Sequence, residues 1–98
     1  MRVYWTDRAK ARLKELESYI AQDSESAAKK VVKRLLIKSN QISVHPYSGR
    51  KVPEYGQDDI REMLVKPYRI IYRIRTDRID VLTVMHYRQL LPSDTKRL

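Results

Sequence analysis

The 98-residue chain contains no cysteine. That excludes a disulfide framework and any thiolate zinc site, and it is the usage expected of a protein kept in a reducing compartment. Glycine is reduced to two residues and proline to four, so breaks in regular structure must be few and local. Phenylalanine is missing altogether, while seven tyrosines and one tryptophan supply the rings. Nearly every aromatic side chain therefore carries a polar group, which suits half-buried faces and contact surfaces better than a dry interior. Long apolar runs are also lacking. The longest, Leu35-Leu36-Ile37, is far too short to cross a bilayer, and the charges at Arg2, Asp7 and Arg8 do not fit a signal peptide. These absences lead to the expectation of a cytoplasmic protein with no membrane association.

Acidic residues are the other shortage. Twelve Asp and Glu stand against 21 Lys and Arg, giving a formal charge of +9 and an isoelectric point near 10.0. Such an imbalance draws in nucleic acid, an anionic membrane or an acidic protein, and on charge alone a plain, non-catalytic nucleic-acid-binding domain is one alternative. The excess is not a tail on a neutral body, because residues 1–49 hold ten bases and five acids while residues 50–98 hold eleven and seven. The hydrophobic share of 42% is ordinary for a globular chain, and a chain of this length forms one domain with one core.

Along that domain the pattern changes period once. Val3-Tyr4-Trp5 is β-prone, and Thr6 offers an acceptor to the free amides of a following helix. Ala9, Leu13, Leu16 and Ile20 then recur at helical spacing, predicting a helix from about 7 to 22. Asp23-Ser24 interrupts it, and Ala28, Val31, Leu35, Ser39 and Ile42 restart the period until Pro46. The two helices make an antiparallel hairpin over about 7–45, with His45 read as a cap at its end. Residues 46–59 contain both glycines and two of the prolines and are expected to form one long irregular loop. From Ile60 the period becomes two: Arg61, Met63 and Val65 alternate with Glu62 and Leu64. Tyr68, Ile70, Tyr72 and Ile74 then alternate with Arg69, Ile71, Arg73 and Arg75. Ile79 to Met85 is apolar with little alternation, as in a mid-sheet strand covered on both faces. The expected architecture is α+β, in the order β-α-α-β-β-β. The helical hairpin packs on one face of a small, mainly antiparallel sheet, hairpins fill 60–88, a patternless tail follows over 89–98, and an arginine-rich sheet face is left open.

No P-loop, GxSxG or GxGxxG occurs, and two histidines without cysteine give no recognisable metal spacing, so neither a metal nor a cofactor is expected. The arginines Arg61, Arg69, Arg73 and Arg75, with Arg50, Lys51 and the strand end His86-Tyr87-Arg88, form a candidate surface for phosphate or carboxylate. The plain alternative is a solvated strand face, with Arg61 and Glu62 in a cross-strand ion pair.

Several segments carry a more specific signal: Trp5-Thr6 before an Ala/Leu-patterned helix, HPYSGRKVPEYG, IREMLVKPYRIIYRI, and IDVLTVMHYR. In these, over about residues 3–88, the chain resembles the RelE/ParE superfamily of type II toxin-antitoxin toxins. The resemblance implies a growth-inhibiting toxin neutralised by a cognate acidic antitoxin, which contacts operator DNA only as the toxin-antitoxin complex. It implies one of two targets. ParE-like members poison DNA gyrase without catalysis, whereas RelE- and YoeB-like members cut mRNA on the ribosome. In the second case Glu54 would be the base, Arg69 would hold the phosphate, and His86 and Tyr87 would lie near the scissile bond. In the first, Arg50, Lys51, Arg61, Arg73, Arg75 and Arg88 would contact the target. The P-E loop and the H-x-R strand end are shared by both branches, whereas the residues that continue past Arg88, and the lack of the denser lysine clusters of RelE-like chains around Arg50-Lys51, favour the ParE-like branch.

Overall fold

In the computed structural model, which describes residues 1–98, the elements follow in the order β1 (Arg2–Trp5), α1 (Asp7–Ala21), α2 (Glu25–Gln41), β2 (Arg50–Lys51), β3 (Ile60–Val65), β4 (Tyr68–Ile74) and β5 (Arg78–His86). Short 3₁₀ turns lie at Pro46–Ser48 and Thr95–Arg97. Both helices begin where the capping residues are. The Thr6 hydroxyl accepts from the Ala9 amide at 3.1 Å and donates to the Val81 carbonyl at 2.9 Å, so one side chain caps α1 and ties its start to β5. Ser24 caps α2 by accepting from the Ala27 amide at 3.1 Å. Such caps contribute about 1 kcal/mol each.

The five strands form one sheet in the order β1-β5-β4-β3-β2. Three neighbouring pairs are antiparallel, and β1 runs parallel to β5 at the edge. Strand β5 thus lies inside the sheet, as its mostly apolar, weakly alternating sequence predicts. The hairpin of α1 and α2 covers one face. Ala9, Leu35 and Ile42 meet Ile70, Tyr72, Ile79, Val81 and Val84 there in the main core. Trp5 joins its rim, donating from Nε1 to the buried Ser39 hydroxyl at 3.1 Å.

Three expectations need correction. Helix α2 ends at Gln41, so His45 is not its cap; it precedes the 3₁₀ turn, and its carbonyl accepts from the Ser48 amide at 3.0 Å. The 46–59 segment is not wholly irregular, because Arg50 and Lys51 pair with Glu62 and Arg61 as β2. Finally, the face away from the helices is not open. Val52, Ile60 and Ile71 are fully buried there beneath Tyr55, Met85, Leu91 and Leu98, so the loop and the C-terminal tail form a second, thinner layer. The Tyr55 hydroxyl donates to the Pro92 carbonyl at 2.6 Å and fastens that loop to that tail.

Candidate functional site

Strand register decides which candidate side chains share a face. Arg61 stands opposite Tyr72, and Glu62 opposite Ile71, while Leu64 faces Arg69 and Ile60 faces Arg73. Arg69 and Arg73 therefore project with Glu62 on the loop-covered side. Arg61 projects with Tyr72 on the other, contrary to the single arginine face expected from the alternation. Instead Arg61 reaches around the edge, donating to the Asp58 carboxylate at 2.7 Å and the Gly49 carbonyl at 3.0 Å, with the Tyr47 ring 5.0 Å away.

Arg69 is the centre of the loop-covered side. Its side chain is 6% exposed and lies between two carboxylates. The Glu62 carboxylate, fully buried, accepts from Nε at 2.8 Å and also from Nη2. The Glu54 carboxylate accepts from Nη1 at 3.0 Å and from Nη2 at 3.2 Å, a bidentate fork. Arg50 closes the network from β2, donating to the other Glu62 oxygen at 2.5 Å. The Arg69 hydrogen bond, the largest influence, holds the Glu54 carboxyl below its usual range despite partial burial. Burial opposes the charge on Arg69, but the hydrogen bonds to Glu54 and Glu62 outweigh it and raise its pKa.

A cleft of about 560 Å³ opens beside this network, lined by Arg50, Glu54, Arg69 and Tyr87 together with Leu64, Lys66, Pro67 and Tyr68. Four of the ten candidate residues thus converge. Tyr87 is half exposed at its mouth, and Arg88 donates from Nε to the Tyr87 hydroxyl at 3.1 Å. His86 stacks on Tyr87 with ring centroids 4.9 Å apart, but it lines a separate cleft of about 610 Å³ between α1 and the tail. Its Nδ1 accepts from the Arg88 amide at 3.1 Å. The remaining candidates lie elsewhere. Lys51 is 3.9 Å from Asp58, Arg73 3.3 Å from Asp59, and Arg75 2.9 Å from Asp80. Lys66 and Tyr68 line the cleft without having been singled out in the sequence, because a turn lysine and a tyrosine in an apolar alternation look unremarkable there. The residues of the cleft offer ion pairs and a phenol, and no cluster of His, Cys, Asp and Glu that could hold a metal.

The ParE toxin family of type II toxin-antitoxin systems (parDE) matches residues 3–91. The chain belongs to the ParE toxin family. A Sinorhizobium fredii protein named as toxin Y4kP is 39% identical over 94 residues, which cover 93% of each chain. Toxin RelE2 of Caulobacter vibrioides is 30% identical over 89 residues, covering 90% of this chain and 97% of that protein. Among solved structures, a chain of the chromosomal ParDE system from P. aeruginosa superposes with a TM-score of 0.73 at 20% identity, covering 88% of this chain and 95% of that one. The fold is therefore that of a ParE toxin, two helices on a five-stranded mixed sheet. The chain is the toxin of a type II pair, with an antitoxin as its partner. No helix in it is long and apolar enough to cross a membrane.

Proposed function

We propose that this ParE-family toxin arrests growth in the cytoplasm by binding DNA gyrase, and that it acts by occupancy rather than by cutting RNA. The observation that supports this reading is the state of Arg69 and Glu54. A ribonuclease of the RelE type would need an arginine free to hold a phosphate and a carboxylate basic enough to take a proton from a 2′-hydroxyl. Here four hydrogen bonds to two carboxylates occupy the Arg69 guanidinium, and its side chain is nearly inaccessible. Glu54 is an acceptor already committed to that guanidinium, with its pKa lowered, so it is a weak base. The constellation stabilises a loop; it is not poised for proton transfer.

What remains available to a target is the rim of the cleft: the exposed parts of Arg50, Lys66, Tyr87 and Arg88. A phenol flanked by cations suits a hot spot on a protein surface. The antitoxin is an acidic protein whose carboxylates meet the cationic surface and speed association, and the pair reaches operator DNA only as a complex. The direct test is a supercoiling assay with purified gyrase and purified toxin. Inhibition that scales with toxin occupancy, together with trapped cleaved DNA, supports the reading; full gyrase activity in the presence of excess folded toxin refutes it.

A further inference from the structure

Most of the free positive charge of the molecule does not lie on the arginines of β2 to β5. Arg50, Arg61, Arg69, Arg73, Arg75 and Arg78 each face a carboxylate at 2.5–3.3 Å, and although Asp80 is shared by Arg75 and Arg78, most of their charge is compensated within the fold. Helix α2 is the opposite case. Lys29, Lys30, Lys33, Arg34 and Lys38 are all exposed, none takes part in an ion pair, and the helix's single acid, Glu25, is confined to its first turn. Helical geometry sorts the five into two rows. Lys30, Arg34 and Lys38 follow at successive four-residue steps, with Lys29 and Lys33 beside them, each step rising about 6 Å along the axis. Like charges at that spacing repel one another, and nothing in the chain relieves the repulsion.

The rows continue off the helix. Arg34 donates to the Val65 carbonyl at 3.4 Å and to the Lys66 carbonyl, which draws the β3–β4 turn and its exposed Lys66 against the Lys30-Arg34-Lys38 row. Lys66 in turn lines the cleft that contains Arg50 and Tyr87. A cationic track thus runs from the outer side of α2, over the turn, to the mouth of the cleft.

We propose that this track binds the phosphate backbone of duplex DNA. Lysine places compact, hydrated charges on flexible stems, which suits a repeating row of solvated phosphates. The forked guanidiniums of β2 to β5, better matched to carboxylates, already face them. A linear array of cations fits a linear polyanion better than a single acidic group. No aromatic residue occurs in α2, so the helix has no ring on which to stack an unpaired base, as single-strand binders require. Exposed Leu36 and Ile37 lie between Arg34 and Lys38, so it is the 29–34 part of the row that is without large exposed apolar anchors of a protein contact. Contacts of this kind position the protein on DNA without reading its sequence, so recognition of the operator stays with the toxin-antitoxin complex. The inference does not depend on which cellular target the toxin arrests.

Fluorescence anisotropy of the purified full chain with a short labelled duplex, over a range of salt, tests it. For four phosphate contacts the affinity falls about 150-fold between roughly 50 and 200 mM salt, a log-log slope near −3.6. The combined change Lys29→Gln, Lys30→Gln, Lys33→Gln, Lys38→Gln removes most of that slope, and Lys→Arg changes at the same four positions keep it. A charge-matched control, Lys10→Gln, Lys14→Gln, Lys96→Gln, Arg97→Gln, also retains the slope, with thermal unfolding establishing that every variant is folded. Equal loss in the α2 variant and the control overturns the proposal, because the attraction would then be diffuse. Tighter binding of single-stranded DNA than of the duplex overturns it too, as does an α2 variant that loses poly-glutamate binding while keeping the duplex.

Discussion

Arg69 and Glu62 form a diagonal cross-strand ion pair in the most enclosed part of the sheet, with 6% and 0% of their side chains exposed. Removing one partner of such a pair strands the other charge, whereas replacing both with apolar residues is often neutral. Arg69→Met should therefore destabilise the chain by about 3–5 kcal/mol, because Glu62 keeps only Arg50. The double change Arg69→Met with Glu62→Leu should recover most of that loss, since Glu54 and Arg50 can turn to solvent. Urea unfolding of the two variants measures both values. Equal stability of the single variant and the unchanged chain would show that the pair has no structural role.

Acid should loosen the same region. The hydrogen bond from Arg69 lowers the pKa of Glu54 below its ordinary 4.5. At Asp80 burial acts in the raising direction, but hydrogen bonds from Arg75 and Arg78 outweigh it and the pKa falls below its ordinary 3.8. Both groups are more acidic folded than unfolded, so their contributions are complete above the unfolded values and disappear as pH falls through the folded ones. Unfolding free energy should hold steady from neutrality down to about pH 4.5 and then decline. Glu54→Gln should reduce the steepness of that decline and leave the Asp80 part. An undiminished decline in Glu54→Gln would assign the acid sensitivity elsewhere.

Gly49 is required for closeness rather than for an unusual backbone angle, since its φ is −70°. A Cβ at this position would collide with the Tyr72 hydroxyl and lie 2.6 Å from the Glu62 carbonyl. That phenol is fixed by donating to the Pro46 carbonyl at 2.7 Å, and its ring is buried. Gly49→Ala should cost about 1–3 kcal/mol by overpacking, measured by thermal or chemical unfolding. Adding Tyr72→Phe should recover only part of it, because the second collision is with backbone. Full recovery would place the whole clash on the hydroxyl.

Much of the fold could be read from local pattern. The two helix starts follow from Thr6 and Ser24, the helical faces from Ala9, Ala28 and Leu35, and the inner position of β5 from its mostly apolar, weakly alternating sequence. What could not be read depended on contacts distant in sequence. The parallel pairing of β1 with β5 joins residues 76 positions apart, as in Arg2 with Arg78. The two residues of β2 are too few to show alternation, so Arg50 and Lys51 looked like loop. The larger error concerned the arginine face. Alternation shows that Arg69 and Arg73 project away from Tyr72, but not that loop and tail residues fold back to cover them or that Glu54 and Glu62 pair with Arg69. Ile71, fully buried on that same side, was the available sign that it is not solvent-facing.

Single substitutions at the cleft should separate contact from chemistry. Tyr87 is exposed and touches mainly His86 and Arg88, so Tyr87→Ala should fold normally and still bind antitoxin. If the toxin acts by occupancy, Tyr87→Ala and His86→Ala should weaken growth arrest by no more than the loss of a contact, about 10- to 30-fold in effective dose for a hot-spot residue. Glu54→Gln should retain toxicity, because an amide can still accept from Arg69. Complete loss of toxicity in a folded Glu54→Gln variant would instead assign the carboxylate to catalysis.

The occupancy claim is tested most directly by titrating purified toxin against gyrase and against ribosomes translating a defined mRNA, side by side. The account predicts that supercoiling falls in proportion to the toxin-to-gyrase ratio and that the mRNA stays intact. Codon-specific cleavage of the mRNA by toxin far below the ribosome concentration, with gyrase fully active, would contradict it.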